Sequence, residues 1–506
     1  MDSKKIIKIL FIISMFFTLL IGISLSYNYD LANNFDLLFQ SDTARVVGDI
    51  TDLSFNHYRL NVHPLLVLFI TPIYNFIKGL VINKMLSLVV LSSLFTSISV
   101  VYIYKILELY NKDKKINILL SLCYLFSFSN YVFTAGIEVY NIAALFLIML
   151  WYYVLKRENN FKLDLKSGVV FMLLGILSCG ITVTNIIIFC IILFILLIFK
   201  KEKFKNLLIV FIFTIVMIFN CVIIQNLIWH NTPGLNYNSL KNEGVFTSYS
   251  ININKIGNVL REDYSHSILA NNIYVKLDTD NANKVEEQII DFDNNIIINI
   301  FTSIFYILSI LLLVRNYKKN KFVNTGLILS ILFNTILHIL YGNGYPFIYS
   351  LHFLYLFFIL FGINIGYEDN NIIKKISKIY LIILLVFELL INNIIFIKLL
   401  RIVESILPCN YYVGVLGLTK CIIYTVIFLL ILFSLIYLFI KLINKFKNSD
   451  DKVFYGVLLI LLFILIHSLF ITLEASENNK RIFIWEIKEP YIKNVYINNK
   501  KYLKHD

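Results

Sequence analysis

Apolar runs long enough to cross a bilayer follow one another along almost the whole chain, separated by loops in which lysines and arginines are alternately crowded and sparse. A run of about 20 apolar residues spans the roughly 30 Å hydrocarbon core as a helix. Lipid offers no partner to main-chain N–H and C=O groups, so such runs must be helices packed against one another. With a mean hydropathy of +0.77, the sequence predicts an all-α polytopic membrane protein of about thirteen transmembrane helices.

The basic loops set the expected orientation. Lys4, Lys5 and Lys8 precede the first apolar run, which reads as an uncleaved signal anchor rather than a secretory signal peptide because it is long and many further spans follow. Further clusters lie at Lys112, Lys114 and Lys115; at Lys156 and Arg157; at Lys200, Lys201 and Lys203; at Arg315, Lys318 and Lys319; at Lys374 and Lys375; and at Lys441 and Lys445. All can face the cytoplasm together if residues 63–80, which hold Pro64 and Pro72, lie along the membrane instead of crossing it. The expected organisation is a transmembrane domain over 1–472 with outer loops 27–62 and 230–295, then a short extracytoplasmic tail over 473–506, in a multi-pass plasma-membrane protein with a cytoplasmic N-terminus. The net charge of +13 is accounted for by basic loops beside anionic headgroups and implies no nucleic-acid partner. Six cysteines without a CxxC pair read as packing residues, and the richness in Ile, Asn and Lys suggests a bacterial protein.

Candidate chemistry collects on the outer side. Loop 27–62 contains Asp42, Arg45, Asp49 and Asp52, spaced i, i+3, i+7 and i+10 and so on one helical face. That face is either the solvated side of an amphipathic juxtamembrane helix or a set of carboxylates placed to take a proton at the interface. Arg59 and His63 follow. Glu138 with Tyr140 opens a later span, either as an ordinary helix-start carboxylate or as part of a cavity. Thr184 and Asn185 form another outer turn, and the stretch 341–352 holds Tyr345 and, inside the next span, His352, an imidazole costly in lipid unless it faces polar groups. Loop 230–295 adds Arg261, His266 and an acidic stretch read as surface charge, while the tail alternates like two short strands. Glu388, alone in mid-span, reads as a local hydrogen-bonded group.

Taken together, the long first outer loop with Asp42 and Arg45, His63-Pro64 entering a membrane-hugging stretch, the Glu138-x-Tyr140 at the head of a span and the number of spans resemble the integral-membrane glycosyltransferases of the GT-C fold. Within them the likeness is to the dolichyl-phosphate-mannose protein mannosyltransferase and aminoarabinose transferase branch. The resemblance implies a GT-C-like fold and transfer of a sugar from a polyprenyl-phosphate donor to an acceptor protein, lipid or glycan of the cell envelope. Asp42 would be the general base, Arg45 its partner, Glu138 a catalytic residue lining the cavity and His63 the cavity floor. Arg59, Arg261 and His266 would meet the leaving phosphate, with Asn185, Tyr345 and His352 also binding substrate. The sequence departs from the family pattern: the usual paired acidic residues are Ser41-Asp42, and the Arg-Pro of a middle span is replaced by Val183-Thr184-Asn185. The sequence identifies no cofactor, and a divalent metal at Asp42, Asp49 and Asp52 is left open, since their spacing is not diagnostic. The rival readings are a lipid-linked glycan flippase or other transporter, which should show polar groups at mid-membrane, and a scaffold without chemistry.

Overall fold

The structure, a computed structural model, describes residues 2–407 apart from 28, 30, 32–36, 53–59, 61, 82, 230–252, 281–284 and 342–345. The expected spans near 421–440 and 453–472, and the tail over 473–506, lie outside the described residues.

Among the described residues six helical runs are long and apolar enough to cross a membrane, or seven if the bent pair Lys114–Phe126 and Phe128–Ala135 is one span. They are Ser3–Tyr27, Lys84–Tyr110, Val139–Lys156, Phe204–Ile228, Ile296–Leu340 and Asn371–Ile406. The number read from the sequence is larger. One reason is that Leu165–Ile181, Asn185–Lys200 and Leu351–Tyr367 form shorter apolar helices of 16 or 17 residues, which rise only about 25 Å. Another is that Ile296–Leu340 counts as one run. The 3-10 turn Tyr317–Asn320 divides it, and its two ends meet again: Ser265 bonds Thr302 at 2.7 Å, while the neighbouring Tyr264 bonds Thr335. The run therefore folds back as two antiparallel helices.

In chain order the helices are α1 (Ser3–Gly22), α2 (Thr43–Thr51), α3 (Leu66–Val81), α4 (Lys84–Tyr110), α5 (Lys114–Phe126), α6 (Phe128–Ala135), α7 (Val139–Lys156), α8 (Leu165–Ile181), α9 (Asn185–Lys200), α10 (Phe204–Ile228), α11 (Ile253–Val259), α12 (Ile296–Asn316), α13 (Lys321–Leu340), α14 (Leu351–Tyr367), α15 (Asn371–Phe387) and α16 (Asn393–Ile406). Many begin at a residue whose side chain accepts a first-turn N–H: Asn83, Asp113, Asp164, Asn295, Asn320 and Asn370. These caps satisfy donors that lipid could not.

Polar contacts sort the helix termini onto two ends of the bundle. At the basic end Ser3 bonds Glu108 at 2.7 Å, Lys200 and Asn320 reach Glu158 at 3.5 and 3.1 Å, Arg315 pairs with Glu368 at 2.9 Å and Lys378 approaches Asp113 at 3.6 Å. At the far end the Leu65 N–H donates to the Gly180 carbonyl at 2.8 Å and the Val183 N–H to the Val62 carbonyl at 3.0 Å. Gln225 of α10 brackets the start of α3, accepting from the Leu68 N–H at 3.1 Å and donating to the Pro64 carbonyl at 2.9 Å. Val81 is three residues from Lys84, and α4 ends at the basic end, so both termini of α3 lie at the far end.

The centre of the bundle is α4, α7 and α14, buried on almost every side. Gly362 and Gly366 of α14 let α4 approach: a Cβ on Gly362 would lie 2.1 Å from Leu107 Cδ2, and one on Gly366 2.6 Å from the Tyr110 carbonyl oxygen. This is the close contact that a G-x-x-x-G spacing permits. In contrast, α10, α12 and α15 present exposed Phe213, Ile223, Ile307 and Ile382, the surface expected of helices against lipid.

The acidic stretch of the second loop falls in a hairpin. Strands β1 (Ile273–Asp280) and β2 (Val285–Phe292) pair antiparallel, Ile273 opposite Phe292 and Asp280 opposite Val285. Leu38 bridges Ile290 in parallel, with the Ile290 N–H donating to the Leu37 carbonyl at 2.9 Å. The two outer loops of the sequence reading are thereby joined.

Candidate functional site

Asp42 stands at the N-cap position of α2 without a side-chain capping bond, and Asp52 follows its last turn. Asp42, Arg45 and Asp49 share a face that is largely enclosed, while Asp52 lies beyond the helix end in extended backbone. Arg45, with 1% of its side chain exposed, bonds Asp42 Oδ2 through Nε at 3.1 Å and Nη2 at 2.9 Å, and Asp49 Oδ2 through Nη1 at 3.0 Å. Val46, Val47 and Ile50 on the other faces are buried as well. An amphipathic helix resting on a surface is thus replaced by one enclosed in protein, and a guanidinium so enclosed needs both carboxylates. Asp49 is fully buried, whereas Asp42 keeps 29% of its side chain exposed and is the accessible member of the group.

Facing α2 is the turn from α6 to α7. Thr43 Oγ1 donates to the Gly136 carbonyl at 2.6 Å, and Ser26 donates to that of Ala135. A Cβ on Gly136 would stand 2.8 Å from the Val132 carbonyl oxygen, which fixes glycine there. Ile137 next to it has φ 59°, and on the α2 side Phe39 and Gln40 have φ 54° and 59°. Left-handed backbone is costly for non-glycine residues, above all a β-branched one, and here it lies close before each of the two carboxylates of interest. Glu138 Oε2 accepts the Val139 N–H at 3.0 Å, the Asp42 main-chain N–H approaches the same carboxylate, and Oε1 has no partner among the described residues. Burial first, then the Asp42 charge, raise Glu138 from the ordinary 4.5 to about 8, against the opposing pull of Arg45. Glu138 is therefore a proton-carrying acid near neutral pH beside the carboxylate of Asp42.

Tyr140, the second residue of α7, links this pair to the expected histidines. Its ring lies 6.4 Å from that of His63 and 4.8 Å, edge on, from that of His352. His63 Nδ1 bonds the Ile181 carbonyl at 2.8 Å, and Asn185 Nδ2 donates to the Ser178 carbonyl at 3.0 Å, so both tie down the α8–α9 turn. His352 stands 6.2 Å from the ring of His338, whose Nδ1 bonds Asp263 Oδ2 at 2.6 Å.

The second-loop candidates lie in the π-helical segment Leu260–His266. Arg261 bonds Glu262 at 3.1 Å and Asn258 at 3.2 Å, within its own segment. His266 is buried, bonds Asn271 at 2.6 Å and packs on Phe292, which stacks on Phe39 at 4.5 Å. Burial lowers His266 to about 3, which disfavours its cationic form. Arg59 and Tyr345 lie outside the described residues. Among the described residues no three His, Cys, Asp or Glu side chains are placed together to hold a metal ion.

Sequence reasoning passed over His338 and gave Asp263 and Tyr140 no role. A histidine in the last turn of an apolar helix was the available signal for His338. Compared with models of known protein families and with curated proteins, the chain finds no match in either.

Proposed function

We propose that this chain is a membrane glycosyltransferase of GT-C type that moves a sugar from a polyprenyl-phosphate donor to an acceptor hydroxyl on the outer face of the plasma membrane. The observation that carries this reading is Asp42: an accessible carboxylate oriented by a buried Arg45 and set against a protonated Glu138. A carboxylic acid with a raised pKa near a carboxylate paired with arginine is an arrangement suited to acid–base chemistry. The acceptor oxygen attacks the anomeric carbon while Asp42 takes its proton. The bond from that carbon to the phosphate oxygen breaks, and the polyprenyl phosphate leaves as an anion with inversion at carbon. Glu138 offers its acid proton as a hydrogen bond to the sugar or acceptor.

The basic end faces the cytoplasm in this reading, with the N-terminus, and α3 lies along the outer surface. Its test is transfer by the purified chain in lipid with synthetic polyprenyl-phosphate sugars, wild type against Asp42→Asn. One observation favours the transporter reading: Glu388 is fully buried in the π-helical segment Glu388–Asn392 within a long apolar run, with the Cys123 thiol as a polar neighbour. It stands apart from the Asp42 group, and a transport path would need further polar side chains at its depth.

A further inference from the structure

At the basic end of the bundle several cations are matched by carboxylates: Lys200 by Glu158, Arg315 by Glu368, Lys319 by Asp369 and Lys378 by Asp113. Lys105 and Lys156 differ. Neither has an ion pair or a hydrogen bond among the described residues, and both lie over tyrosine instead. Lys105 Nζ stands 4.5 Å from the ring centroid of Tyr102 and 5.9 Å from that of Tyr152, and Lys156 Nζ stands 5.8 Å from that of Tyr152. The two rings meet edge to face at 5.1 Å.

These side chains come from two helices that end on the same side, since Tyr110 at the end of α4 bonds Glu158 just beyond α7. On α4, Ile98, Tyr102 and Lys105 are spaced i, i+4 and i+7; on α7, Met149, Tyr152 and Lys156 are spaced i, i+3 and i+7, so each set shares a face. Both helices are otherwise enclosed, and both leave these faces partly open. Lys105 lies about 8 Å along the axis from the end of α4, within the depth that a lysine stem can bridge to the headgroups. The charge of Lys156 bears on Lys105 more strongly than that of Glu108, and Glu108 is itself held by Ser3 at 2.7 Å. Two ammonium groups beside one tyrosine at the edge of lipid repel each other unless an anion lies with them. The hydroxyls of Tyr102 and Tyr152, also without a hydrogen-bond partner among the described residues, are further donors at that place. Toward the bilayer centre Ile98 and Met149 continue the same faces as an apolar track. A free anion would use the cations alone; a phospholipid uses both.

We propose that Lys105 and Lys156, with Tyr102 and Tyr152, hold the phosphate of an anionic phospholipid whose acyl chain lies along Ile98 and Met149. The site is at the end of α7 opposite Glu138, apart from the Asp42 group. That this lipid belongs to the cytoplasmic leaflet rests on the orientation proposed above; that the groove takes an anionic phospholipid does not.

The test uses the purified full chain in detergent, titrated with dioleoyl phosphatidylglycerol or with dioleoyl phosphatidylcholine, and counts bound lipid by native mass spectrometry. Wild type should bind phosphatidylglycerol at least about tenfold more tightly than phosphatidylcholine, as charge-assisted bonds to a net anion require. Lys105→Gln with Lys156→Gln should bring that ratio to about one and leave phosphatidylcholine binding unchanged. Lys318→Gln with Lys321→Gln removes two exposed charges from the same end of the bundle and should leave the ratio intact. An equal fall in both double variants marks general surface charge, and displacement of phosphatidylglycerol by excess inorganic phosphate marks a free-anion site; either overturns the proposal. So does a wild-type ratio near one, a ratio that Lys105→Gln with Lys156→Gln leaves unchanged, or an equal loss of both lipids in that variant. Asp42→Asn should keep the wild-type ratio, so sugar transfer that survives in Asp42→Asn removes the general base and leaves this site standing.

Discussion

The main-chain N–H of Asp42 faces the carboxylate of Glu138, and the charge of Asp42 helps to keep the Glu138 proton in place. Two segments far apart in sequence, α2 and the α6–α7 turn, meet there through left-handed backbone at Gln40 and Ile137. The pairing sets a raised Glu138 beside an Asp42 that is bonded to Arg45, and the predictions follow from that arrangement.

Glu138 binds its proton more tightly folded than unfolded, with causes in burial and the Asp42 charge. Between the ordinary 4.5 and about 8 the folded chain holds the extra proton, so stability falls as pH rises through that window. Glu138→Gln keeps the acceptor oxygen for the Val139 N–H and removes the titration. Thermal unfolding in detergent should show the variant a few degrees more stable than wild type at pH 8, with the advantage fading toward pH 5. An advantage that grows toward low pH would contradict the assignment.

Arg45 neutralises two carboxylates while itself buried. Arg45→Met leaves both uncompensated and should cost about 3–5 kcal/mol, read as a lower unfolding midpoint and reduced yield of folded protein. Asp49→Asn should also destabilise, because Asp49 is enclosed, whereas Asp52→Asn at the half-exposed end of α2 should change little.

Gly180 is where α8 admits the start of α3: a Cβ there would lie 2.4 Å from Leu65 Cδ1. Gly180→Ala should destabilise by about 1–3 kcal/mol through overpacking and disturb the neighbouring His63 bond to Ile181. Leu65→Ala in the same chain should restore part of the loss, a coupling visible in a double-mutant cycle of unfolding midpoints.

The parts of the site legible in the sequence were those written locally. Asp42 and Arg45 are one turn apart, so spacing alone placed them on one face, and Glu138 stands where an apolar run begins. Burial of that face was not legible, because periodicity records which residues share a side but not what covers it. The Asp263–His338 bond joins residues in a polar loop and an apolar helix, and no local pattern connects them. The hairpin was hidden because acidic side chains obscure the alternation of β2, whose hydrogen bond to the Leu37 carbonyl is made by the main chain. Apolar runs of 16 or 17 residues looked like full crossings because hydropathy does not mark where helices end.

Accessibility of the two ends tests the orientation. Single cysteines at Asn160 and Asn294, both exposed and on opposite ends of the bundle, should differ in intact cells. With the four described cysteines, Cys409 and Cys421 replaced, an impermeant maleimide should label the cysteine at 294 and reach that at 160 only after lysis. The reverse pattern would invert the proposed orientation.

The central claim is that Asp42 takes the proton of the acceptor, and sugar transfer by Asp42→Asn measures it most directly. The variant keeps the volume and can still accept from Arg45, so insertion and folding should survive while turnover with a polyprenyl-phosphate sugar falls by about 10²–10⁴-fold. Glu138→Gln should lower turnover alone but add little to Asp42→Asn, since the catalytic unit is already disabled. Near-normal turnover of folded Asp42→Asn, with a donor and acceptor that wild type uses, would contradict the account.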